Sequence, residues 1–299
     1  MQAPLREVST KVATMSAVPV EEIARLMLSS TNNLTLHTGN IINWNHLKRK
    51  TSQNAGEEVL ECLSATLNVW SSTVDPSWMN EETNNALVIT NPNQMERISE
   101  DERSKLKVSV KIFLLKWDPD LVVEAVDQVC NELDIGVVDS VLLALPPLEA
   151  EMGEELSVNH ILPMWESMER LYDVERVSAI GTSDLDKEML EQTHGMARVK
   201  PTINQVNVVS CCVIPPDLTA FAKENDIQLL THSDPRDVLP TPTFQEILRG
   251  SSHDDHVDEW QPFWVLRYTV MVKCRGVIKA KGYIVNGRRH ATDMPLSVA

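Results

Sequence analysis

Between residues 177 and 235 the chain repeats one pattern three times: a short apolar run, a polar break and a helix-length segment. No other feature restricts the fold as much. A strand followed by a helix, repeated, returns each new strand beside the last through a crossover, so the strands pair in parallel. The first run, 177–183, is broken by Gly181 and closes on Ser183 and Asp184, two good N-caps, so a helix is expected to start there. Leu185, Met189, Leu190 and Met196 follow at helical spacing. The second run, 203–209, carries Asn204 and Gln205 in a stretch that otherwise reads as core. Buried amides need partners, and a ligand is one kind of partner. The third run, 227–231, follows a helix expected over 218–225 and ends in His232-Ser-Asp-Pro235.

The alternation continues upstream, with strands expected over 108–115 and 138–145 and helices over 121–133 and 160–172. A helix over 56–72 places Val59, Leu60, Leu63, Leu67 and Trp70 on one side, and Asp75-Pro76 stops it. A strand at 86–90 and a helix opened by Ser99 and Glu102 in a capping-box pattern complete that half. Residues 34–43 alternate around Thr38-Gly39-Asn40 and read as a hairpin. Downstream come a helix around 243–248, an acidic loop at 253–259, a helix over 262–272 and a last strand at 277–280. Residues 1–33 read as a variable arm with room for a short helix at 21–29, and 34–299 as one domain. A length of 299 residues suits a single (β/α)8 barrel of about 250 residues with extra loops.

The net charge of −16 argues against nucleic acid, whose backbone must be met by clustered Lys and Arg, and against an anionic membrane surface. No apolar run approaches the roughly 20 residues of a membrane helix. Glu7, Glu21 and Glu22 break any secretory or mitochondrial leader. Cys62, Cys130, Cys211, Cys212 and Cys274 are too few and too irregular for a disulfide framework, which fits a reducing cytoplasm. Cys274, between Lys273 and Arg275, is the candidate for a reactive or intersubunit thiol. His253-Asp-Asp-His256 reads as a solvated loop rather than a metal site, and Ser210-Cys-Cys212 as a packed turn without a general base.

The motifs also carry a resemblance. Ala179-Ile-Gly-Thr-Ser-Asp-Leu185, Lys200-Pro-Thr-Ile-Asn-Gln-Val206 and Ile227-Gln-Leu-Leu-Thr-His-Ser-Asp-Pro235 resemble the fifth, sixth and seventh strands of the aldo-keto reductase barrel. Asn204 to Lys223, Trp264-Val-Leu-Arg-Tyr268, Arg275-Gly-Val-Ile-Lys-Ala-Lys-Gly-Tyr283 and Leu36-His-Thr-Gly-Asn-Ile-Ile-Asn-Trp44 are similar to one offshoot of it, the glutamate–cysteine ligase regulatory (modifier) subunit family. The resemblance implies an α/β fold, a (β/α)8 TIM barrel of aldo-keto reductase type, with an N-terminal hairpin plugging its base. It implies a heterodimer with the ligase catalytic subunit, better use of glutamate and ATP, and relief of glutathione feedback inhibition.

Aldo-keto reductases use a Tyr proton donor, a Lys that tunes it, an Asp that pairs the Lys and a His that orients the carbonyl. Here the first tyrosine is Tyr172 and the first aspartate Asp75, both misplaced, and Ala144 stands at the end of the fourth strand where His is expected. Only the lysine has a candidate, Lys111. The expectation is therefore a non-catalytic chain that requires no cofactor. The rival is a reductase with a displaced donor, Tyr172 or His232, working with Lys111. By resemblance a vestigial NADP(H) pocket would comprise Lys111, Ser183, Asp184, Asn204, Gln205 and His232. Asp184 stands where Asn is usual and His232 where Tyr stacks, and Lys279 and Lys281 are the candidates for a 2′-phosphate. For the partner interface, aromatics with Arg are typical anchors, which selects Trp260, Trp264 and Arg267 at helical spacing, together with Cys274 and Arg275 of the basic stretch 273–281.

Overall fold

The computed structural model describes residues 20–44, 54–74, 85–91, 94–147, 156–209, 213–252 and 254–289. Cys211, Cys212, Asp75-Pro76, His253 and most of the expected arm lie outside them. The elements run α1 (Val20–Ser29), β1 (Asn33–His37), a 3-10 turn (Ile41–Asn43), α2 (Ala55–Thr73), β2 (Ala86–Thr90), α3 (Glu100–Arg103) and β3 (Leu106–Leu114). There follow α4 (Asp120–Leu133), β4 (Ser140–Ala144), α5 (Val158–Asp173), β5 (Ile180–Ser183), α6 (Lys187–Met196), β6 (Ile203–Asn207), α7 (Pro216–Glu224) and β7 (Gln228–His232). Last come α8 (Thr241–Ser252), a second 3-10 turn (Val257–Glu259), β8 (Gln261–Val272) and β9 (Val277–Arg288).

The fold is α/β, with helices on both faces of one sheet. Its nine-stranded sheet has the order β2-β1-β9-β8-β3-β4-β5-β6-β7. From β3 to β7 the strands are parallel and sequential, each joined by a helix, as in a (β/α)8 barrel. The other end of the sheet departs from simple repetition. β8 is antiparallel to β3 and β9, β9 is antiparallel to β1, and β1 is parallel to β2. β1 and β2 therefore run opposite to β3.

Two expectations change here and one is met. The hairpin expected over 34–43 does not form: β1 is buried from Leu34 onward between β9 and β2, and its pairing groups are taken by those strands. The chain instead turns at Asn40, whose side chain accepts from the Ile42 N–H to cap the 3-10 turn. The helix expected over 262–272 is the strand β8. Trp264, Leu266, Tyr268 and Val270 belong to one core cluster and Val265 to the other, a period of two carried by β-branched and aromatic residues. The short helix expected at 21–29 forms as α1, and it buries Ile23, Ala24, Met27 and Leu28 in the cluster formed with α2, α8 and β1.

The core has two main parts. One lies between α4 and α5 and the sheet at β3, β4 and β8. The other joins α1, α2 and α8 to the opposite face at β1, β2 and β9, and a third, smaller cluster holds α5, α6 and α7 together. Arg289, just after β9, ties α1 to that strand: it donates to the carbonyls of Leu28, Ser29 and Thr31 and pairs with buried Asp254 at 3.0 Å. Those carbonyls lie at or just past the end of α1, where a helix leaves acceptors in need of donors, so a buried cation there completes it.

Candidate functional site

In the β3–β8 register Lys111 stands opposite Arg267, both on the sheet face of the second cluster, above the Phe113 ring at 4.9 and 5.5 Å. Two like charges directly opposite repel, and both are largely buried, so the pair requires an anion. Asp234, just beyond β7, supplies it. Its Oδ2 accepts from Lys111 Nζ at 2.8 Å, and Arg267 donates to Oδ1 at 2.6 Å and Oδ2 at 3.0 Å. Burial opposes ionisation of Asp234, but bonds from His232 and Arg267 and the charges of Arg267 and Lys111 hold it far below the usual carboxylate range. Burial also draws Lys111 below the ordinary lysine range, against the pull of Asp234.

His232 ends β7 and joins this group to β5. Its Nε2 donates to Asp184 Oδ1 at 2.9 Å, and the Asp234 backbone N–H donates to Nδ1 at 3.1 Å in the neutral ring. Protonation makes Nδ1 a donor toward Asp234 Oδ2 at 3.2 Å. Burial works against the charged ring, but the two aspartates prevail and raise its pKa above the usual histidine value. Asp184 is correspondingly lowered: burial opposes, and His232 and Lys111 outweigh it. Asp184 does not begin a helix, contrary to expectation. It sits at φ 63° with its side chain turned to His232, and Asp186 caps α6 instead. Asn207 completes the lattice, its N–H donating to Asp184 Oδ1 and its Nδ2 to the Asp234 carbonyl.

This arrangement limits the chemistry. Ser183 Oγ lies 3.4 Å from His232 Nε2, which suggests a nucleophile and its base. However, the hydroxyl donates to Asp184 Oδ2 at 3.0 Å and the ring N–H is given to Asp184 Oδ1, so the ring presents no lone pair to the hydroxyl. Tyr283 and Tyr268 are both pushed above the ordinary tyrosine range, mainly by burial, and Tyr283 Oη donates to Glu58. Tyr172 lies exposed near the end of α5.

Of the six expected pocket residues the structure brings together Lys111, Ser183, Asp184 and His232. Asn204 is spent elsewhere: its Oδ1 accepts from Thr182 and its Nδ2 donates to the Leu185 carbonyl, with no exposure left. Gln205 keeps one buried acceptor, Oε1, without a partner. Lys279 is held by Glu96 and Glu102 and Lys281 by Glu58, so neither is a free cation for a phosphate. Trp260 and Trp264 are fully buried and are not surface anchors: each is a core residue of its cluster, and Trp260 Nε1 donates to Asp254. Arg267 belongs to the Asp234 network, while Cys274 and Arg275 are exposed in the β8–β9 turn. Sequence reasoning missed Asp234 and Asn207 as members of the site. Reading β8 with period two would have put Arg267 on the same strand face as Val265, but only the β3–β8 pairing sets it opposite Lys111.

The aldo/keto reductase family model matches residues 45–235. The chain is 46% identical over 270 residues to the glutamate–cysteine ligase regulatory subunit of Homo sapiens, covering 90% of this chain and 97% of that one. It is 46% identical over 267 residues to the subunit of the same name from Rattus norvegicus, covering 89% and 96%. Among solved structures, aldose reductase from Giardia lamblia aligns with a TM-score of 0.33 and 18% identity, covering 58% of this chain and 52% of that one.

Proposed function

We propose a role from one premise: the chain belongs to the aldo/keto reductase family and, within it, to the glutamate–cysteine ligase regulatory subunits. It acts as a non-catalytic regulatory subunit in the cytoplasm, binding the ligase catalytic subunit as a heterodimer, improving its use of glutamate and ATP and relieving glutathione inhibition. The observation that carries this reading is the 46% identity extending over 97% of the human relative. The mouth supports it, because Lys111, Asp234, Arg267, His232, Asp184 and Ser183 bond to one another. Physically, such a regulator binds the substrate-competent conformation of its partner more tightly than the inhibited one. A coupling of about 1–3 kcal/mol changes affinities by roughly 5–150-fold. The test mixes the purified chain with the catalytic subunit and records ligase rate against glutamate, with and without glutathione. A lower glutamate KM and weaker inhibition are expected; no change in either, with no complex on sizing, rejects the role.

A second reading rests on Gln205 Oε1, the unpartnered buried acceptor beside the mouth. It would accept from the carboxamide of NADP(H), with Ser183 and Asp184 alongside and His232 against the ring. A bound dinucleotide supplies hydride to a carbonyl when a proton donor is at hand. In this chain the same residues would instead make the mouth a sensor, and nucleotide would alter heterodimer affinity. Fluorescence titration with NADPH decides: unchanged nucleotide emission at high protein concentration removes the reading. Turnover of any carbonyl in a panel with NADPH, lost in Lys111→Met, would favour the reductase.

A further inference from the structure

The mouth lies where β5 and β7 end. The opposite end of the sheet, where β3 to β6 begin, has a different surface. Those four strands are parallel and β8 is antiparallel to β3, so the β8–β9 turn also falls at this end. The Lys273 N–H donates to the Lys105 carbonyl. Arg103 donates to the Val137 carbonyl and to Asp139, Arg176 to the Gly136 carbonyl, and Arg198 to both carboxylate oxygens of Asp173. The turn and the loops leading into β3, β4, β5 and β6 are thereby tied into one rim. Of the twelve large apolar side chains that stand exposed among the described residues, six lie on it: Val137, Tyr172, Val174, Met196, Val277 and Ile278. Exposed apolar residues scattered singly are normal, but half of them gathered at one end mark an interaction surface. The rim is also where a chain of net charge −16 shows cations, with Lys105, Lys107, Lys273 and Arg275 exposed on its β3–β8 side. Of the acids there, Glu102 is paired with Lys279 and Asp139 with Arg103, and Glu100 and Asp101 of α3 are outnumbered by the four cations.

We propose that this rim is the docking surface for the partner subunit, and that it fits a partner face with an apolar centre and carboxylates at its edge. The inference rests on the regulatory reading above, which makes that partner the ligase catalytic subunit. Charge complementarity selects the occupant. The exposed cations on one side of the apolar patch favour an acidic face and steer its approach. A second copy of this chain, docked rim to rim by a two-fold axis, would bring the same cations against one another. The ion pairs of Arg103, Arg176 and Arg198 hold the loops in place before the partner arrives, so little ordering entropy is lost on docking. A partner seated here leaves the mouth, at the other end of the strands, uncovered.

The test is a binding titration of the full chain, unmutated and in variants, against the purified catalytic subunit, with association rates recorded across ionic strength. Lys105→Glu combined with Arg275→Glu should slow association about tenfold at low salt and flatten its salt dependence. Val174→Asp and Met196→Asp, which put an unpaired charge into the apolar contact, should each raise Kd by about tenfold or more. Val209→Asp, at an exposed position beyond the end of β6 on the mouth side, should leave Kd unchanged. All these positions are exposed, and urea midpoints separate a docking defect from a folding one. The charged and apolar variants report independently, so a misfolded variant leaves the others to decide. Native affinity in the folded rim variants overturns the surface while the regulatory role stands. No complex with the unmutated chain overturns the role and the surface together. Self-association on sizing that Met196→Asp abolishes would make the rim a contact between copies, and that too overturns the proposal.

Discussion

Asp234 is the residue on which the mouth depends. It neutralises two cations that the β3–β8 register forces together, Lys111 and Arg267. Asp234→Asn would leave both buried and uncompensated, and breaking a buried pair in this way costs about 3–5 kcal/mol. Urea unfolding should show that loss, and a change within experimental error would mean the two cations relax to solvent. His232 gives a pH signature. Its folded pKa is raised above 6.5, so its contribution to stability is full below the unfolded value and disappears as pH rises through the folded one. Asp184, lowered from 3.8, contributes above that value and loses its contribution as pH falls through the folded pKa. The stability difference between the native chain and His232→Asn should therefore shrink from mildly acidic to alkaline pH. A difference that grows would contradict the assigned ion pairs.

At the scale of elements, α1 and the β8–β9 hairpin are the parts whose packing a linear reading did not settle. α1 packs Ile23, Ala24, Met27 and Leu28 into the core and is closed by Arg289. A chain beginning at Asn33, the start of β1, would expose that cluster and leave the Arg289–Asp254 pair without the carbonyls it serves. It is expected to unfold at distinctly lower urea concentration than the full chain, and equal midpoints would show α1 to be an accessory arm. The hairpin turns at Gly276, at φ 61° with open space around its α-carbon. Gly276→Val therefore meets no clash, only the backbone cost of a left-handed β-branched residue, about 1–2 kcal/mol, readable as a fall in melting temperature.

For the whole molecule, the five parallel strands from β3 to β7 were legible from spacing alone, because a helix between two strands leaves parallel pairing as the economical return. Of the rest, β2 and the start of β9 were also read as strands, but β1, β8 and the pairing of this end of the sheet were not. β8 has residues whose aromatic and aliphatic positions satisfy both the helical and the strand period, and only its partners β3 and β9 select one. A net charge of −16 also sets an expectation for assembly. A complex with a catalytic subunit should depend on salt, and sizing or titration across ionic strength would measure it. Insensitivity to salt would mean that the interface is mainly apolar.

The amino-acid sequence determined the α/β class, the positions of most helices and strands, and the kinship on which the regulatory role rests, since periodicity and short motifs are local properties. It also held four of the mouth residues, with Ser183, Asp184 and His232 at recognisable strand ends and Lys111 within β3. Tertiary structure alone decided that Trp260 and Trp264 are core, that Asn204 is internally satisfied, and that Arg267 faces Lys111 across Asp234. Those outcomes depend on which strands lie side by side and on how buried charges find counter-ions. Both are set by contacts far apart in the chain, which no local pattern encodes.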